Sequence, residues 1–356
     1  MGKDIDLFAD YTDTLPWDTR SFDGVSPRPL TRPTNLSQAI RLMKELDEYD
    51  RILIHHHVEP VLAYLISRYL RKKVAWYSGS IFEPAYSELL YGEDYKNVSA
   101  TLDATTRSFY GRYIGRMGLA AYPAAKTALR ILDLKTVKNY HKIITNSDYQ
   151  ARYVLNIYRR TSTVVYPPLE DNLLTPKKLE LKLKLPYVLM AGAFVYYKNF
   201  KAGIKAMDLI KDAYSLVMVG SGMLRSQYEQ LARESGVSLS VHYGSSDEVM
   251  HYLYDNSSFV IHPSLFEGFG FIAAEAALHQ KPTILTTHSG VREFFKDGES
   301  AYICDPFNIP LMQERARRLA NHPEQTREMG RKAHDSIACL SGFGQSKRLW
   351  EELENW

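Results

Sequence analysis

The sequence predicts an α/β protein of two units, each a doubly wound parallel sheet with helices on its faces, and three observations carry that reading. The chain has 356 residues, beyond the ~250–300 at which a single hydrophobic core stops growing. Short apolar runs alternate with longer stretches of helical periodicity, the pattern of buried strands joined by crossover helices. Between the halves lies Pro167-Pro168, followed by the charged stretch DNLLTPKKLELKLKLP that ends at Pro186. Consecutive prolines remove backbone donors and restrict the residue before them, so the linker and domain boundary are expected there, with one domain over 1–168 and the other over 169–340.

In the first half, strands are expected at Ile5–Phe8, Arg51–His55, Val74–Tyr77, Lys142–Thr145 and Thr163–Tyr166, all short runs rich in β-branched and aromatic residues. Between them fall helices such as Leu36–Glu48, where Leu36, Ile40, Met43 and Leu46 recur three or four residues apart, and Val61–Leu70. Beyond Pro186 the expected strands are Tyr187–Ala191, Ser215–Val219, Ser240–Tyr243, Phe259–His262, Thr283–Thr286 and Ala301–Ile303. Helices at about Phe200–Ile210, Met223–Ser235, Asp247–Asp255 and Gly270–His279 separate them and complete a doubly wound unit. The closing SGFGQSKRLWEELENW reads as a helix with Trp and Leu at helical spacing, and no internal repeat or low-complexity segment is present.

Hydrophobic residues at 45% and charged residues at 24% are the balance of an ordinary globular chain. A net charge of +3 argues against nucleic acid as the main partner. Residues 101–168 are locally basic: eleven Lys and Arg, from Arg107 to Arg160, face only Asp103, Asp133 and Asp148. Aromatic residues such as Phe109, Tyr110 and Tyr113 interleave with them, so residues 107–142 are read either as a peripheral contact with an anionic membrane or as a solvated helix with a core stripe. Two cysteines, Cys304 and Cys339, make neither a disulfide framework nor a thiolate metal site. No apolar run reaches the ~18 residues of a spanning helix, and Met1-Gly2-Lys3-Asp4 does not open a signal peptide. A cytoplasmic location, with any membrane contact peripheral, is expected.

The segment SLFEGFGFIAAEA, Ser264 to Ala276, carries the candidate site. It follows a strand, and ligands of open parallel sheets bind at the carboxyl ends of strands. Gly268 and Gly270 let backbone N–H groups approach a ligand without Cβ interference, and the helix expected to begin near Phe271 offers unpaired donors with a partial positive charge. A carboxylate is a poor partner for phosphate but accepts two hydroxyls at once. Glu267 on the loop and Glu275 on the helix, eight residues apart, can each hold a polyol on either side of this anion cradle. A nucleotide sugar, with hydroxyls at both ends and a diphosphate in the middle, has that order.

In its wider context, HPSLFEGFGFIAAEA resembles the E-x7-E motif of retaining glycosyltransferase family 4, whose members have the GT-B fold of two Rossmann-like domains facing across a cleft. Similar likenesses are found in YVLMAGAFVYYKNFKAGIKAM, with its Lys198-Asn199 pair, in LVMVGSGMLRSQYEQLA, and in KPTILTTHSGVREFFKDGESAYICDP. The resemblance implies that Glu267 contacts the donor hexose, that Glu275 bonds the ribose, and that Lys198 neutralises the diphosphate. By the same resemblance Gly268, Phe269, Gly270 and Phe271 line the donor, Gly220, Ser221 and Gly222 border the nucleotide, and Tyr243, Gly244 and Ser245 line the base. It further implies front-face attack, in which the departing phosphate takes the acceptor's proton, and neither a metal nor another cofactor. It also implies that the helix at 341–356 crosses back onto the first domain. Asp4-Ile5-Asp6 matches the metal motif of the other glycosyltransferase fold by coincidence of composition. Three consecutive histidines, His55 to His57, cannot share one metal from a strand; His56 and His57, with Ser80, are acceptor-side candidates.

Three departures from the pattern stand out. Where the family commonly has Gly-Arg, this chain has Gly192-Ala193, and where the family places a histidine near the reacting carbon, it has Ser78-Gly79-Ser80. The family's first strand, glycine-rich loop and first helix have no counterpart before Ile5, so either a truncated or divergent form or a partner chain supplying that unit is expected. The sequence therefore supports two functions: a hexosyltransferase moving sugar from a UDP- or GDP-linked donor to a glycan or lipid-linked acceptor, and a non-catalytic or low-activity nucleotide-sugar-binding partner subunit.

Overall fold

In a computed structural model of the protein, the described residues are 7–9, 27–29, 36–55, 60–70, 74–79, 122–169, 181, 183–243, 246–340 and 344–355. The chain opens with a short parallel pair, β1 (Leu7–Ala9) and β2 (Pro27–Pro29). Then come α1 (Leu36–Asp47), β3 (Ile52–His55), α2 (Pro60–Tyr69), β4 (Val74–Ser78), α3 (Tyr122–Asn139), β5 (Lys142–Thr145), α4 (Asp148–Tyr158) and β6 (Thr163–Val164). Strands β3 to β6 form a parallel sheet in sequence order, with Ile52 opposite Val74, Ala75 opposite Lys142, and Ile144 opposite Thr163. Every residue of β4 is buried, which is why its sequence VAWYS lacks polar alternation. Trp76 anchors this core among Leu46, Ile66, Val137 and Ile143, edge-on to Tyr158 at 5.7 Å between ring centroids. Helix α4 starts at Ser147, whose hydroxyl accepts from the Gln150 amide at 2.9 Å.

The second sheet is built from β7 (Tyr187–Ala191), α5 (Phe200–Ala206), β8 (Ser215–Val219), α6 (Arg225–Glu234), β9 (Leu239–His242), α7 (Asp247–Asn256), β10 (Phe259–His262), α8 (Phe271–Leu278), β11 (Thr283–Thr286) and β12 (Tyr302–Cys304), followed by α9 (Ile309–Asn321), α10 (Pro323–Ile337) and α11 (Gly344–Glu354). Its strands are all parallel, in the order β12-β11-β10-β7-β8-β9. The helix expected over Phe200–Ile210 tightens after Ala206 into a 3-10 turn, Met207–Leu209. Strand β9 begins one residue before the expected position because, at the sheet edge, its four residues are only half-buried and present no clean apolar run. Apolar side chains fill both faces of the sheet: Met190, Phe194, Phe200 and Met218 on one side, Leu189, Val217, Leu253 and Tyr254 on the other.

Among the described residues, contacts join the units in several places. Phe266, from the loop after β10, packs with Tyr149 and Tyr153 of α4 at 5.7 and 5.2 Å between ring centroids. Leu349 and Leu353 of α11 pack on Tyr77, Ile144 and Val165 of the first sheet, and Lys142 Nζ binds the Glu352 carboxylate at 2.6 Å. Within the second unit, the Leu169 amide, just past the proline pair, donates to the Leu340 carbonyl at 3.0 Å.

Candidate active site

The second sheet reverses direction between β7 and β10, which are neighbours in space although β8 and β9 come between them in sequence. Loops leaving the carboxyl ends of such a pair diverge and open a crevice. The loop after β7 carries Lys198 and the loop after β10 carries Glu267, and the two side chains form an ion pair with both groups largely shielded from solvent. Asn199 fixes that meeting. Its backbone takes the left-handed conformation (φ 52°), and its amide Nδ2 donates to the Pro263 carbonyl at 3.1 Å. The Lys-Asn pair thus supplies a cation and the bracket that ties its loop to the neighbouring one.

Glu267 is further fixed through its backbone: its N–H donates to His288 O at 2.9 Å, and its carbonyl accepts from Gly290 N at 3.0 Å. Burial pushes the Glu267 carboxyl up, but the Lys198 cation and His262 outweigh it and hold the group below its ordinary range. His262, the last residue of β10, has its Nε2 3.6 Å from Glu267 Oε2. Burial drives its pKa down to about 4, against the opposing pull of Glu267, so the ring is neutral at physiological pH. Sequence reading missed His262; the available signal was a polar residue at the carboxyl end of a fully buried strand.

Gly270 precedes α8 with φ 112°, where a Cβ would stand 2.6 Å from Ser289 Oγ. Phe269, expected to line the donor, is instead a core residue: its ring packs with Ala273, Val291 and Phe295, because the strand-to-helix turn rotates it inward. Phe271 is 45% exposed at the mouth of α8. Glu275 lies one turn into α8, where Tyr254 of α7 donates its hydroxyl to Oε2 at 2.8 Å. Burial raises the Glu275 pKa, with the Tyr254 bond opposing and Asp247 adding to the rise.

Gly220 and Gly222 follow β8 with φ of 143° and 151°. A Cβ on Gly220 would sit 1.9 Å from Gly192 O, so the β7 and β8 loops touch backbone to backbone there. Ser221 is exposed and its carbonyl accepts from Phe194 N at 2.7 Å. Tyr243 is 64% exposed, with the Arg225 guanidinium 4.7 Å from its ring centroid. Ala193 is exposed beside Gly192 and brings no cation. Gly244, Ser245, His56, His57 and Ser80 lie outside the described residues, as do residues 107–121 of the basic segment. Among the described residues, no helix is long and apolar enough to cross a membrane.

Comparison with known proteins agrees with this architecture. The family model for glycosyl transferases group 1 matches residues 172–336. The putative glycosyltransferase EpsD of Bacillus subtilis is 26% identical over 354 residues, covering 96% of this chain and 86% of EpsD. Several further curated relatives align over about half of their own length. Among solved structures, sucrose-phosphate synthase from Thermosynechococcus elongatus superposes with a TM-score of 0.73 at 18% identity, over 98% of this chain and 88% of that one. HepE of Anabaena, solved in complex with UDP-glucose, gives a TM-score of 0.67 at 16% identity, over 93% and 86%. With two parallel sheets, a switch of strand order in the second and this set of relatives, the chain is a glycosyltransferase of GT-B architecture whose residues 172–336 match glycosyl transferases group 1.

Proposed function

We propose that the chain transfers a hexose, with retention, from a UDP- or GDP-linked donor to a glycan or lipid-linked acceptor. The observation that carries this reading is the meeting of Lys198 and Glu267 at the sheet switch, in front of a helix whose first turn is approached over bare glycine backbone. A diphosphate entering there competes for the Lys198 ammonium and draws it from the ion pair. Glu267 is then left as an ionised acceptor for sugar hydroxyls. Lys198 and the α8 amides stabilise the charge that grows on the leaving phosphate. Glu275, steadied by Tyr254, keeps one oxygen for the ribose. The acceptor's proton leaves on the departing phosphate, so no protein nucleophile takes part, and no metal is needed to neutralise the diphosphate.

HepE's complex with UDP-glucose, on the same fold, supports a nucleotide sugar as the donor class. Helix α3 exposes Arg130, Ile131, Leu134, Lys135 and Lys138, a mixed basic and apolar face that supports peripheral contact with an anionic membrane. Exposed Ala193, in place of a second phosphate-binding cation, favours a second reading: a chain that binds nucleotide sugar without turnover, as the partner of another transferase.

A thermal-shift panel of UDP-, GDP- and ADP-sugars identifies the donor. Release of nucleoside diphosphate in the presence of acceptor glycans then separates the readings. Glu267→Ala and Lys198→Ala are each expected to cut turnover by about a hundredfold or more, with EDTA leaving the wild type unchanged. Full turnover in both variants defeats the first reading, and ligand-induced stabilisation without turnover establishes the second.

A further inference from the structure

Ser147 belongs to the first unit, at the end of β5, yet its hydroxyl donates to the carbonyl of Gly268 in the second, at 2.6 Å. The side chain is fully buried, and the same oxygen accepts from Gln150 N at 2.9 Å as the cap of α4. One hydroxyl therefore ends a helix in one domain and grips a loop of the other.

The surroundings are fitted to that grip. A Cβ on Gly268 would lie 2.0 Å from Gly79 O, a backbone atom of the first domain held by Asn146 Nδ2 at 3.2 Å. On the opposite side, a Cβ on Gly290 would lie 2.2 Å from Gly268 O and 2.6 Å from Ser147 Oγ. The Gly268 peptide is thus sandwiched between the two domains, with space for backbone only. Three residues past Gly290, Glu293 accepts from the amides of Asp148 and Tyr149 at 3.1 and 2.6 Å and from the Tyr166 hydroxyl at 3.1 Å. The second domain therefore fastens to the first turn of α4 beside the Ser147 contact.

We propose that Ser147 is a positioning residue that holds the Glu267 loop from across the domain boundary, so that the donor acid is aligned only while the two domains are in contact. This rests on the reading of Glu267 as the group that holds the donor hexose. Gly268 is the residue next to Glu267, and a glycine rotates through backbone conformations closed to other residues. Fixing its carbonyl removes that freedom and sets the direction from which the Glu267 carboxylate approaches the crevice. Opening the domains breaks the Ser147 bond and the Gly79 contact together and leaves the loop held from its own domain alone, through His288, Gly290 and Val291.

Two variants test the clamp. Ser147→Ala deletes the donor, and Gly290→Ala drives a methyl between Ser147 and Gly268 while keeping the Ser147 hydroxyl in the chain. Hydrogen exchange of amides 265–271 is expected to rise about tenfold in both, with the amides of β7 and β10 unchanged. By calorimetry, both are expected to weaken UDP-glucose about tenfold while UDP stays within about twofold, because Lys198 and Glu275, read as holding the diphosphate and the ribose, lie outside the clamped loop. Unchanged exchange at 265–271 in both variants, or equal losses for UDP and UDP-glucose, overturns the proposal. UDP-glucose affinity that survives Glu267→Ala overturns the reading of Glu267 instead, and the exchange rates then judge the clamp on their own.

Discussion

At the scale of single residues, the crevice is governed by the Lys198–Glu267 ion pair and the histidine buried beside it. His262 is buried and neutral beside an ion pair, and its pKa is down at about 4 from an ordinary 6.5. A proton therefore binds the unfolded chain first as pH falls. The stability due to neutral His262 is complete above the unfolded value and drains away down to the folded one, losing roughly 2 kcal/mol between about pH 7 and pH 5. Glu267, also depressed, contributes its share above the unfolded carboxylate value and loses it at lower pH, as the folded group titrates. Chemical denaturation at the two pH values is expected to show this loss in the wild type and a flatter profile in His262→Gln. Glu267 and Lys198 were legible in the sequence because each sits in a distinctive local string. His262 and Ser147 were not, since their partners are fixed by the fold; Ser147 and Gly268 are 121 positions apart.

At the scale of elements, the parallel strands buried on both faces declare themselves, and β7, β8, β10 and β11 fall on the expected residues because glycine, proline or a polar turn bounds each apolar run. Helix α3 was harder to read, since Ile131 and Leu134 are exposed and spoil the stripe. Helices α9 and α10 went unassigned: they follow the last strand closely and are separated by only His322. Strand β2, with two prolines in three residues, has the composition of a turn. The β8 loop makes the most exacting demand on a single residue. Gly220 needs both a positive φ and the absence of a Cβ, so Gly220→Ala is expected to cost about 2 kcal/mol or more. Thermal unfolding checks the cost, and a variant as stable as wild type would show that the β7 and β8 loops need not touch.

At the scale of the whole molecule, the chain's last helix is part of the first sheet's packing. Leu349 and Leu353 cover Tyr77, Ile144 and Val165, and Lys142 binds Glu352. The two leucines are partly buried, so Leu349→Ala with Leu353→Ala is expected to remove about 2 kcal/mol from the first domain. Amides of β4 and β5 should then exchange faster while those of β7 and β8 do not. Equal acceleration in both sheets would mean that the two domains unfold as one cooperative unit.

The strand order of the second sheet also has a consequence for how this protein comes into being on the ribosome. Strands β7, β8 and β9 can pair as soon as they emerge, but the flank of β7 that borders the crevice stays bare until β10 is made. Lys198 emerges 69 residues ahead of the glutamate that becomes its partner. A nascent chain halted after β9 would carry an open sheet edge and half a pocket. The arrival of β10 covers that flank and brings the Glu267 loop up to Lys198, so the pairing of β10 with β7 and the creation of the binding crevice are one event.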